Sequence, residues 1–271
     1  MNKGIMESVK DKMVGSIKGT GEVLNAAVDT VSGTLVTTIK GTGAVGTALT
    51  STVSDVLRGA IMGTAQVGGD VGAAAKGGVV GVLKGTKEVG AETIDTVSVS
   101  ARTLVKSAAE VGSDLGTVAR NTVEGAISGA KQVGLNVEEA ASAAATGAIM
   151  GTAQVGGDVG AAAKGGVVGV LKGTKEVGAE TIDTVSVSAR TLVKSAAEVG
   201  GDIGTVARNA VEGAISGAKQ VGLNVEEAAS AAATGAIKGA GEISQQAVQQ
   251  VRNAVTGVIA GVKVVVKEPF K

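Results

Sequence analysis

Two arrangements in this chain carry residue types from which chemistry is built. Gly41-Thr42-Gly43-Ala44-Val45-Gly46 matches the Gly-x-Gly-x-x-Gly loop that cradles a dinucleotide pyrophosphate, and it follows the apolar run 34–39. That loop works only between a strand and a helix, with an acidic residue about 20 positions on to hold the ribose. No such βαβ context follows it, and Gly41 and Gly46 are fixed positions of a longer repeat. The second arrangement is the carboxylate pair Glu138-Glu139, written again as Glu226-Glu227. Adjacent residues do not converge on one face of a helix. The pair therefore reads as a local helix start or break, the alternative being an interhelical partner or register-setting charge at Glu138.

Little else is available for catalysis. The chain has no His and no Cys, so the usual metal ligands, an imidazole base and a thiolate nucleophile are all missing. No Walker lysine spacing occurs. The expectation is a protein that is not an enzyme, with no cofactor, no metal and no small-molecule substrate. The 25 basic residues balance 25 acidic ones, which gives no basic surface for nucleic acid.

The elements that hold these residues are set by repetition. Residues 147–234 repeat 59–146 with three changes: Ser113 becomes Gly201, Leu115 becomes Ile203 and Thr122 becomes Ala210. The chain thus divides into N-terminal repeats (1–58), two near-identical 88-residue blocks (59–146 and 147–234), and C-terminal repeats with a tail (235–271). Inside a block a phrase of the type Gly-Ala-Ile-x-Gly returns every 22 residues, at 59, 81, 103 and 125. It also appears at 15, 37, 235 and 257, so 257 − 15 = 242 residues hold eleven periods without an insertion. A fixed period is read before anything else.

Composition argues against an ordinary core. The single Phe270 and single Pro269 lie in the last three positions, Gly accounts for 44 of 271 residues, and most apolar residues are Ala, Val and Ile. In 11-residue units starting at Gly4, 47 of the 50 charges fall in columns 1, 4, 7, 8 and 11; Lys12, Glu138 and Glu226 are the exceptions. Three helical turns per 11 residues advance about 98° per residue, which places those columns side by side on a helix. A β-solenoid would sort charge by odd and even position, and these columns mix both. Ser98-Val99-Ser100 is the only strand-like run weighed against the helix.

The spacing therefore predicts an all-α protein of long amphipathic helices in 11- and 22-residue repeats, packed as an extended bundle or assembly. Unbroken, the helix would run roughly 400 Å at about 1.5 Å per residue. Candidate breaks are Gly68-Gly69, Gly77-Gly78, Gly156-Gly157 and Gly165-Gly166. Gly134 with Asn136 and Glu139, and Gly222 with Asn224 and Glu227, have the residues to end one helix and cap the next.

Such a helix depends on being covered. Each glycine costs about 0.8–1 kcal/mol against Ala in a helix interior, and nearly two occur per 11 residues. Burying the apolar face returns on the order of 4–6 kcal/mol per unit. The cover is another helix, another copy of the chain, or a lipid surface. Glycines at column 5 (Gly19, Gly41, Gly63, Gly85, Gly129) and column 10 (Gly46, Gly68, Gly90, Gly112, Gly134) lie on the apolar arc. Small residues there let backbones approach closely. The expected packing face is Gly59, Ile61, Gly63, Val67, Gly81, Leu83, Gly85, Val89, Gly125, Ile127, Gly129, Val133, Gly147, Ile149, Gly151 and Val155.

The run Gly85-Thr86-Lys87-Glu88-Val89, with the related Gly19-Thr20-Gly21-Glu22-Val23, resembles the repeats of synucleins and perilipin-type lipid-droplet proteins. The resemblance is one of pattern over nearly the whole chain. It implies a chain that becomes helical on a lipid surface, and zero net charge favours weakly charged or neutral lipid. The combined expectation is a non-catalytic structural protein that self-associates and coats a lipid or other apolar surface; the alternative is a lipid-free filament or bundle packed through Gly and Ala faces. Its partners would be itself and a lipid surface. The expected location is intracellular or peripheral to a membrane or lipid body, since residues 1–14 lack a signal-peptide core and no convincing transmembrane stretch occurs.

Overall fold

A computed structural model describes residues 3–17, 22–42, 47–91 and 94–266. Gly19, Gly43, Gly46, Pro269 and Phe270 lie outside the described residues. The described residues form twelve helices and one short hairpin. The helices are α1 (Lys3–Ser16), α2 (Val23–Thr42), α3 (Thr47–Gln66), α4 (Val71–Glu88), α5 (Ile94–Glu110), α6 (Leu115–Val133), α7 (Val137–Gln154), α8 (Val159–Val177), α9 (Ile182–Glu198), α10 (Ile203–Val221), α11 (Val225–Gly241) and α12 (Gln245–Val255). Strands β1 (Gly257–Ile259) and β2 (Val262–Val264) pair antiparallel, with Val258 opposite Lys263.

The all-helical expectation holds, and the helix breaks at regular intervals, Gly68, Gly134, Gly156 and Gly222 among the expected places. One glycine in every 22 residues adopts a left-handed backbone: Gly68, Gly90, Gly112, Gly134, Gly156, Gly178, Gly200 and Gly222, with φ between 65° and 80°. At each of them the amide one residue on bonds the carbonyl five residues back, as Leu135 N–H does to Ala130 O at 2.9 Å. That closes the helix with its last carbonyls satisfied. Two residues after the glycine, in six of the eight turns, an Asp or Asn caps the next helix: Asp70, Asp114, Asn136, Asp158, Asp202 and Asn224. Asn136 Oδ1 accepts from Glu139 N–H at 3.0 Å, and Asn224 Oδ1 from Glu227 N–H at 2.9 Å. Glu138 and Glu139 stand in the first turn of α7, the helix-start role, where carboxylates favour the positive end of the helix dipole.

This corrects two readings. The described column-10 glycines (Gly68, Gly90, Gly112, Gly134) are turn residues and not packing residues, because a stop signal at a fixed period looks the same on a helical wheel as a packing position. Gly77-Gly78 and Gly165-Gly166, in contrast, interrupt nothing; they lie inside α4 and α8 and are wholly or largely buried.

Each helix packs chiefly against the helix two places on, giving an even layer (α2, α4, α6, α8, α10, α12) and an odd layer (α1, α3, α5, α7, α9, α11). Consecutive helices touch across the layers. Within a layer the helices run parallel: residues 125 and 129 of α6 meet residues 76 and 80 of α4 in the same order. Large apolar side chains recur in buried positions at 44-residue intervals, as with Leu83, Ile127, Leu171 and Ile215, the first three lying against Gly129, Gly173 and Gly217 of the next helix in the layer. The Ser98-Val99-Ser100 run is helical, inside α5.

The last repeat departs from the pattern. The phrase at Gly257 forms the hairpin, not a helix, with Gly257 and Gly261 both at positive φ. Glycine-rich sequence with Val and Ile is equally ready for either state, and α12 before it is short and polar. The hairpin folds back onto α10 and α11, with Ile259 and Val264 buried.

Candidate functional site

The dominant constructed feature is a seam of glycines along each layer. A Cβ added to Gly59 would stand 2.5 Å from Met6 O, and one on Gly63 would stand 2.7 Å from Lys10 O. The corresponding separations are 2.8 Å for Gly81 to Val28 O, 3.1 Å for Gly85 to Ser32 O, 2.5 Å for Gly125 to Lys76 O and 2.9 Å for Gly151 to Arg102 O. Gly129 faces Val80 Cα at 3.3 Å, and Gly147 meets Ser98 O more closely than any side chain allows. Most of these sites have no room for a side chain, because the partner is backbone of the helix two places earlier.

All eight glycines expected on the packing face therefore lie on it. Ile61, Leu83, Ile127 and Ile149 are fully buried, and Val133 nearly so. Val89 is half-buried. Val67 and Val155 are the exceptions: they are 39% and 37% exposed. Both follow the last helical residue, beside the left-handed glycine, where the turn carries the chain out of the layer. Gly41 of column 5 also has nothing within 4 Å of its Cβ position, as do Gly15 and Gly33.

Ion pairs follow the same seam and were not legible in sequence, since the partners are 48 or 52 residues apart. Lys40 Nζ bonds Glu88 at 2.9 Å, Lys76 Nζ bonds Glu124 at 2.6 Å, and Lys164 Nζ bonds Glu212 at 3.2 Å. In the odd layer Arg58 meets Glu110 at 2.8 Å, and Glu242 accepts from both Arg190 and Lys194. The Lys76–Glu124 pair is the best shielded, with side-chain exposures of 16% and 15%. Lys76 also reaches Glu176 of α8 at 3.1 Å. Burial works against the charge of Lys76, but its hydrogen bonds to Glu124 and Glu176 prevail and hold its ammonium above the ordinary lysine value.

Asp114 and Asp202 are held below the ordinary aspartate value, first by the hydroxyls and amides of Thr117 and Thr205 at the helix starts. Glu242 is likewise lowered, first by Arg190 and then by Lys194. These groups stabilise charges that already exist; none is tuned toward neutral pH as an acid–base catalyst would be. Among the described residues no three carboxylates gather to hold a metal ion, and no helix is long and apolar enough to cross a membrane.

A cavity of about 580 Å³ opens between α3 and α5, lined by Asp55, Arg58, Arg102, Lys106, Glu110 and Gln154 with several hydroxyls. Comparison with models of protein families and with characterised sequences returns no match.

Proposed function

We propose that this protein is a non-catalytic structural element: a lipid-free stack of helices, packed through Gly and Ala seams, that associates with itself. The observation that carries the reading is that the apolar face of each repeat is covered by the chain's own helices. Among the described residues the exposed large apolar side chains are few and scattered: Val67, Val155, Ile243, Val258 and Val265. A stack built this way lengthens by whole repeats, because each helix requires only its neighbours in the two layers. Gly33 and Gly41 of α2 stand in the same phase as the seam glycines with nothing against them, and self-association uses that edge.

A lipid coat, the other expectation, requires the two layers to part and expose Leu83, Ile127, Ile149 and their equivalents. Circular dichroism with size-exclusion chromatography and light scattering separates the readings. Full helicity in buffer, unchanged by neutral or anionic vesicles, with mass rising with concentration, is the expected result. Helix that forms only on vesicles refutes the stack and restores the coat.

A further inference from the structure

The two 88-residue blocks are near-identical, yet the helix that closes each of them differs at two charged positions: Met150 and Gln154 of α7 correspond to Lys238 and Glu242 of α11. Gln154 ends α7, while the residue 88 positions later is Glu242, which caps α11. In the second setting the Glu242 carboxylate accepts from Arg190 Nε and, at 2.6 Å, from Lys194 Nζ. Arg102 and Lys106 are the equivalents in the first setting, and there the carboxylate is replaced by an uncharged amide.

The first pair is left without its counter-ion. Arg102 Nε is buried with no hydrogen-bond partner, and Arg102 Nη2 rests 2.7 Å from Met150 Sδ, a weak acceptor. Lys106 forms no ion pair among the described residues. Both side chains line the α3–α5 cavity. Glu110, on the same wall, is engaged by Arg58 at 2.8 Å. Counting the lining, three cations (Arg58, Arg102, Lys106) face two carboxylates (Asp55, Glu110), an excess of one positive charge. At the positions 88 residues on, two cations (Arg190, Lys194) face three carboxylates (Glu138, Glu198, Glu242), with Glu138, Ala143 and Thr146 in place of Thr50, Asp55 and Arg58. The first setting carries a cation excess and the second does not.

We propose that this cavity is a binding site for a small oxyanion, a carboxylate or phosphate group, seated on Arg102 and Lys106 where the second block seats Glu242. Guanidinium and ammonium groups side by side suit such an anion, and the Ser54, Thr103 and Ser107 hydroxyls on the walls offer further hydrogen bonds. Ser54 and Thr103 already bond each other at 3.2 Å, closing one side. About 580 Å³ falls in the range of small-molecule sites, so the anionic group brings an organic body with it: a small organic acid or a phosphorylated metabolite.

The test is calorimetric titration of the full chain at low ionic strength with succinate and, separately, with inorganic phosphate. One saturable site per chain is expected for at least one of them, and the preferred probe identifies the source of the oxyanion. Q154E supplies the carboxylate from within and is expected to weaken binding at least tenfold. Circular dichroism confirms that each variant keeps its helices. No binding of either probe at millimolar concentration overturns the proposal, as does Q154E binding with unchanged affinity. R102M, expected to abolish binding in the parent chain, decides the matter if Q154E loses helix.

Discussion

The carbonyl oxygen of Lys76 occupies the space that a Cβ on Gly125 would need, at 2.5 Å. One residue earlier, Glu124 takes the Lys76 ammonium at 2.6 Å. Backbone contact and ion pair together fix the register of α6 on α4. A Gly125→Ala substitution gains about 1 kcal/mol of helix propensity but meets backbone, and overpacking costs about 1–3 kcal/mol. Net destabilisation is expected, read as a lower urea midpoint. Gly33→Ala in α2, where the added methyl meets nothing within 4 Å in the single chain, is expected to stabilise the dilute, unassociated protein by about 0.5–1 kcal/mol. If both glycines respond alike, the seam has no energetic meaning.

The turns offer a separate test. Gly134 sits at φ 80°, and Asn136 caps α7 two residues later. Asn136→Ala is expected to cost about 1 kcal/mol through the lost cap. Gly134→Val is expected to cost more, because a β-branched residue is strained in the left-handed region. Thermal unfolding of the two variants and their Gly222 and Asn224 counterparts checks the ranking.

Stability should fall at both ends of the pH scale, for different reasons. Lys76 has a raised value in the folded chain, so its contribution is complete below the ordinary lysine range and is lost as pH rises through it. Asp114 and Asp202 are lowered, so theirs is present above the ordinary aspartate range and lost as pH falls through it. In denaturant titrations across pH, D202N is expected to flatten the acid limb and K76M the alkaline limb. Either limb unchanged would remove that group from the account.

Deleting residues 59–146 removes four helices, two from each layer, and rejoins equivalent positions. The shortened chain is expected to keep its helical content per residue and unfold cooperatively. Deleting a single 22-residue repeat instead moves every later helix into the opposite layer. Asp caps recur every 44 residues, at 70, 114, 158 and 202, which shows that the layers are not interchangeable. That deletion is expected to lower the melting temperature well below that of the longer one; equal melting would sink the distinction between layers.

What the sequence alone determined is the helix, its faces and its small residues. The charge columns follow from the helical period, and Gly59, Gly63, Gly81 and Gly85 were legible as packing positions because no side chain fits between helices that touch at the backbone. The pairs Gly134/Asn136 and Gly222/Asn224 were legible too, since left-handed backbone and capping are local properties. Gly68-Gly69 and Gly156-Gly157 were legible as breaks as well; the tertiary structure decided what covers the apolar face, where the breaks at Gly90, Gly112, Gly178 and Gly200 fall, and that Gly77-Gly78 and Gly165-Gly166 stay helical. A wheel shows that Gly68 and Gly63 share an arc; it does not show that one turns the chain and the other lies under Lys10. Nor does a local pattern pair Lys76 with Glu124 or Arg190 with Glu242, because those distances are set by how one layer registers against itself. The hairpin at Gly257 makes the same point: the repeated phrase favours neither state strongly, and packing onto α10 and α11 settles which one forms.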